Sequence, residues 1–99
     1  MEVVGDMKYT PYYTNRIKRQ IKALEKRGYD MKLFKEVVDM LLDGKILPPK
    51  YRDHPLHGDK RGYRDCHIQG DWVLIYKINK GVLTLILSET GTHADLLNF

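Results

Sequence analysis

The sequence predicts a small α+β domain, and three observations carry that prediction: two consecutive segments of helical period, three strand-like segments after them, and turn chemistry between those strands. Ninety-nine residues suffice for one domain with a modest core. With 42% hydrophobic and 30% charged residues the composition is that of an ordinary globular chain, too apolar for disorder. The domain is expected to span residues 1–99, with 1–6 as an N-terminal extension because Met7 is an equally good initiator.

The elements follow in chain order. Met7 to Thr10 is a short strand candidate that Pro11 ends. From Thr14 onward Ile17, Ile21 and Leu24 recur at i, i+4 and i+7, one side of a helix that stops at Gly28. In a second helix Asp30 is the N-cap, Phe34, Val37, Val38 and Leu41 form the apolar stripe, and Gly44 marks the stop. Only Gly28 and Tyr29 separate the two, which predicts a helix hairpin. Pro48-Pro49 then starts a connection.

Tyr63 to Ile68, Trp72 to Ile78 and Val82 to Ser88 are the strand segments, and Gln69-Gly70-Asp71 and Asn79-Lys80-Gly81 have hairpin-turn chemistry. Together with the N-terminal strand they predict a curved antiparallel sheet of about four strands, with the helix hairpin packed on one face and a site on the open one. The last residues, HADLLNF, read as one helical turn.

Charge and cysteine content narrow the function classes. The net charge is +4 and the pI about 9.2, which favours polyanionic partners. The excess is N-terminal: Arg16, Lys18, Arg19, Lys22, Lys26 and Arg27 face one acid, Glu25, within a single helix. That surface is either a solvated helix face or one that tracks phosphates. A single cysteine, Cys66, suits a reducing compartment, so the cytoplasm is expected. The longest apolar run, Trp72 to Tyr76, is far below the roughly 20 residues of a membrane span.

Chemistry concentrates in two stretches. Asp53 to Trp72 holds His54, His57 and His67, and His93 follows Gly91-Thr92. Alternation along a strand sets Tyr63, Asp65 and His67 on one face and Arg64, Cys66 and Ile68 on the other. Antiparallel pairing can bring the end of the third strand to the start of the second, and so His93 to Asp71. Imidazoles plus a carboxylate beside basic residues are what metal-free RNA cleavage needs: a base for the 2′-hydroxyl, an acid for the departing 5′-oxygen, and a cation for the phosphate. The competing readings are isolated surface histidines and a zinc site. For zinc, the usual helical two-His spacing is missing and Pro55 interrupts His54-x-x-His57, so no metal is expected. Cys66 reads as a small core residue, and Trp72 and Tyr76 fit a core better than a base-stacking platform.

Taken together, Asp53-His54-Pro55-Leu56, Gly62-Tyr63-Arg64-Asp65-Cys66-His67, Asp71-Trp72-Val73-Leu74-Ile75-Tyr76 and Thr90-Gly91-Thr92-His93 resemble the RelE superfamily of bacterial toxins, in its YafQ branch. The resemblance covers nearly everything from about Met7. It implies a RelE-like fold and a ribosome-dependent endoribonuclease that cuts mRNA in the ribosomal A site without a cofactor. A cognate antitoxin would hold it inactive in a hetero-oligomer that binds operator DNA. The active-site set it implies is His54, His67, Asp71 and His93; within it, His54 or His67 is expected to act as base and His93 or Asp71 as acid. Trp72 would line the same site, while His57 and Cys66 acquire no role. Substrate contacts are expected from Arg64, Lys60 and Arg61, and ribosomal RNA contacts from Lys18, Arg19 and Lys22. Two positions depart from the branch: Glu89 stands where an arginine is common, and Leu97 where an aromatic is common, with Phe99 two positions on. A carboxylate repels phosphate, so the cation would have to come from Arg64, Arg61, Lys60 or a protonated histidine. The rival class is a non-catalytic binding module of RelE/ParE fold that acts on a protein target.

Overall fold

Strand alternation divides the apolar residues of this chain between the two faces of a sheet, and the helices cover the larger share. The computed structural model describes residues 8–97. Its elements are β1 (Thr10–Tyr13), α1 (Asn15–Lys26), α2 (Met31–Leu42), β2 (His54–Pro55), β3 (Arg64–Gln69), β4 (Trp72–Asn79), β5 (Thr84–Thr92) and α3 (His93–Leu97). The strands form one sheet in the order β1-β5-β4-β3-β2.

Ile17, Leu24, Phe34, Val37, Val38 and Leu41 pack on Cys66, Ile68, Trp72, Leu74, Tyr76, Leu85 and Leu87, which is the main core. A smaller cluster of Val73, Ile75 and Leu96 with Leu56 and Tyr63 lies apart from it. Because neighbours along a strand point to opposite sides, these two clusters mark the covered and the open face. The helix signals are realised as expected: Thr14 caps α1 by accepting from the Ile17 N–H, and Asp30 caps α2 by accepting from the Lys32 N–H. Gly28 and Gly44 take φ of +86° and +76°, the left-handed position that closes each helix.

The sheet departs from the expected one in three ways. First, β1 runs parallel to β5, so the sheet is mixed, and it runs through Pro11 to Tyr13 where the sequence suggested a strand ending at Thr10; Met7 lies outside the described residues. Thr10 and Thr14 donate their N–H groups to Leu83 and Leu87 of the β5 side. Pro11 alternates with them, so its missing donor falls on the open edge of the sheet and costs no ladder bond. Second, a two-residue strand, β2, pairs His54 with Asp65 and makes the fifth strand. Third, β5 begins at Thr84 and continues past Ser88 to Thr92, and Ser88 is an extra residue in its ladder: Tyr76 pairs with Leu87 and Ile75 with Glu89. That bulge reverses the alternation. Leu85 and Leu87 face the helices, whereas Glu89 shares the open face with Ile75.

Thr14 serves both ends of this arrangement. Its hydroxyl accepts from Ile17 N at 3.0 Å and donates to the Ser88 carbonyl at 2.8 Å, tying α1 to the bulge. Thr14→Ala is expected to cost about 1–2 kcal/mol in denaturant unfolding, and Thr14→Ser much less because the hydroxyl remains.

Candidate active site

The open face gathers the histidines by register. His54 of β2 is opposite Asp65 of β3, which is opposite Ile75 of β4, which is opposite Glu89 of β5. One step along, His67 is opposite Val73, which is opposite Gly91. His93 follows at the start of α3, and its ring centroid is 5.4 Å from that of His67, tilted by 58°. The expected approach of His93 to Asp71 is present in the backbone, where the His93 N–H donates to the Asp71 carbonyl at 3.2 Å. α3 is itself fixed by a reciprocal cap. Thr92 N donates to the Asp95 carboxylate and Asp95 N to the Thr92 hydroxyl, while Arg27 from the end of α1 holds Asp95 at 2.9 Å.

Two imidazoles have their tautomers set by backbone. His54 Nδ1 lies 2.7 Å from the Arg52 carbonyl and His67 Nδ1 lies 3.0 Å from the Gly70 carbonyl. A carbonyl only accepts, so Nδ1 carries the proton in both, and Nε2 is the nitrogen left to take or give one.

Asp65 is the group that sequence reasoning did not select. It is 8% exposed, and its Oδ1 has no hydrogen-bond partner. Burial raises its carboxyl above the ordinary range, and the charges of His54, His67 and His93 pull it back down. All three imidazoles therefore lie within electrostatic reach of one buried carboxylate. The available signal was the alternation that sets Asp65 and His67 on one face.

Other candidates are placed elsewhere. Arg64 points to the covered side, where its Nε donates to Asp53 at 3.2 Å, and Tyr76 donates its hydroxyl to the same carboxylate at 2.6 Å. Burial and that bond both push the Tyr76 phenol up, so it stays a donor. This trio anchors Asp53, and with it the backbone that presents His54. Trp72 is 1% exposed, sits edge-on to Tyr29 and stacked on Phe34, and donates Nε1 to Thr90. It supports the site from below rather than lining it. Lys60 lies against Glu89, Arg61 is exposed in the following turn, and Lys18, Arg19 and Lys22 are exposed along α1. Cys66 is buried, which pushes its thiol up and leaves it unreactive. Among the described residues no group of three or more His, Cys, Asp or Glu side chains is arranged to hold a metal ion.

Comparison with known proteins agrees with this architecture. Residues 9–98 match a family described as bacterial toxin of type II toxin-antitoxin system, YafQ. The mRNA interferase toxin YafQ of Escherichia coli strain K12 is 40% identical over 85 residues, covering 85% of this chain and 90% of that protein. The E. coli DinJ-YafQ toxin-antitoxin complex superposes with a TM-score of 0.84 at 36% identity, covering 93% of this chain and 100% of that one. A metal-bound toxin from Helicobacter pylori superposes with a TM-score of 0.84 at 39% identity, covering 89% and 98%.

The state of Asp65 has a measurable consequence for stability. A carboxyl raised in the folded chain contributes stability that is complete below the ordinary Asp value of about 4 and is lost as pH rises through the folded value. Asp65→Asn removes that loss. In thermal denaturation the variant is expected to gain on the wild type between acid and neutral pH; a constant difference between them would contradict the assignment.

Proposed function

Because this chain belongs to the YafQ family of toxins from type II toxin-antitoxin systems, we propose that it is a ribosome-dependent endoribonuclease that cuts mRNA in the ribosomal A site. The observation that carries this reading is one sheet face on which His54 is paired opposite the buried Asp65, His67 follows on the same strand as Asp65, and the rings of His67 and His93 are 5.4 Å apart. Such a set moves protons, which cleavage by the adjacent 2′-hydroxyl requires together with a cation for the phosphate.

In this mechanism Nε2 of His54 or His67 takes the 2′-hydroxyl proton, and the alkoxide attacks the neighbouring phosphorus. The 5′-oxygen leaves with a proton from His93 or from Asp71. Asp65, whose Oδ1 has no hydrogen-bond partner, stabilises whichever imidazolium forms. The products are a 2′,3′-cyclic phosphate and a 5′-hydroxyl, and no metal or cofactor enters. The exposed row of Lys18, Arg19 and Lys22 meets ribosomal RNA, as a basic helix face meets phosphates.

The proposed setting is the cytoplasm, and no helix among the described residues is long and apolar enough to cross a membrane. A cognate antitoxin is the proposed inhibitor, in a hetero-oligomer that binds operator DNA. The E. coli relative, solved with DinJ, supports the antitoxin part.

Inducing the chain without an antitoxin and mapping mRNA 5′ ends tests the reading. Cuts in translated messages are expected, and growth arrest with intact messages would favour a binding module that acts on a protein. His93→Ala and Asp71→Ala are each expected to lower cutting by about 10²–10⁴-fold. Reversing charge at Lys18, Arg19 and Lys22 together is expected to reduce ribosome binding and toxicity in parallel; a fully toxic triple variant would remove α1 from the account.

A further inference from the structure

Glu89 is a carboxylate where an RNA-cutting site calls for a cation, and its surroundings suggest how the charge is restored. Glu89 is 2% exposed and lies on the open face, in the cross-strand row that begins with His54 and Asp65. A buried carboxylate is stable only when paired. Lys60 Nζ donates to Glu89 Oε2 at 2.6 Å, and Arg16 approaches Oε1 at 3.4 Å. Both cations thus meet the same carboxylate, and the shorter bond fixes Lys60 at the edge of the histidine face.

We propose that Lys60 is the phosphate-contacting cation of this site and that Glu89 is a positioning residue that holds it over the face. This rests on the nuclease reading above. An ammonium has three donors, and the bond to Glu89 uses one. The Lys60 side chain remains 44% exposed, so the other two can reach a ligand. Its loop is pinned at both ends: Leu56 N donates to the Tyr63 carbonyl and Tyr63 N to the Lys60 carbonyl, each at 2.9 Å. Arg64 points away from this face, with its Nε bonded to Asp53 on the covered side.

The test uses the full chain with Lys60→Ala, Lys60→Arg, Glu89→Gln and the double variant Lys60→Ala/Glu89→Gln. Two readouts are taken: cleavage of translated mRNA on ribosomes, and salt-dependent binding of a 2′-O-methylated oligoribonucleotide that cannot be cut. Lys60→Ala is expected to lower kcat/KM by about 10–100-fold and to reduce the salt slope of binding by about 0.7, the share of one single-strand phosphate. Lys60→Arg should restore most of both. Glu89→Gln should impair cleavage alone but add nothing to Lys60→Ala, since it acts through that residue. Full additivity would overturn the positioning role, and Lys60→Ala with unchanged binding slope would overturn the contact. If the wild type binds the oligonucleotide without cutting any message, the nuclease reading fails, while the slope change still decides Lys60. A wild type that does neither overturns both.

Discussion

The open face depends on one unsatisfied group. Folding normally pairs buried polar atoms, because an orphaned oxygen costs on the order of 1–3 kcal/mol. Among the described residues Asp65 Oδ1 is left without a partner, whereas the other buried polar side chains, Glu89 and Thr90, are well bonded. Cross-strand pairing brings His54 to its side, the strand period brings His67 to its own face, and the cap of α3 brings His93 to His67. Remove that carboxylate and the three imidazoles lose the negative charge they share.

The covered face supplies the stiffness this needs. Trp72 fills the core between Tyr29 and Phe34, and its Nε1 is fixed by Thr90, whose own hydroxyl donates to Val73. Arg64 and Tyr76 converge on Asp53 from beneath, one residue from His54. The residues that resemble substrate contacts in the motif thus hold the backbone from which the histidines project. Placing groups on packed strands rather than free loops is what makes sub-ångström positioning affordable for acid/base chemistry.

Much of this was legible in the sequence. The periods of Ile17, Ile21 and Leu24 and of Phe34, Val37, Val38 and Leu41 gave both helices, and turn chemistry gave both hairpins. Alternation gave Asp65 and His67 a common face, and antiparallel pairing put His93 beside Asp71. What was not legible depends on tertiary partners. β2 is two residues long and contains a proline, so no propensity marks it; it exists because Asp65 and Arg64 offer a ladder. β1 continues through Pro11 because that residue lies on an edge, which a local rule cannot know. The Ser88 bulge leaves no signature, yet it decides that Glu89 turns toward the histidines instead of into the core. Alternation already set Arg64 opposite Asp65, and only the Asp53 bond shows what it does there.

We propose that imidazoles gathered on this face move protons to and from a ribonucleotide linkage. The end groups of the cleaved message test it most directly. Proton transfer of this kind leaves a 2′,3′-cyclic phosphate on the upstream fragment and a 5′-hydroxyl on the downstream one, and no cutting is expected when the nucleotide before the break lacks its 2′-hydroxyl. A 5′-phosphate, or cutting that survives 2′-deoxy substitution, would contradict it.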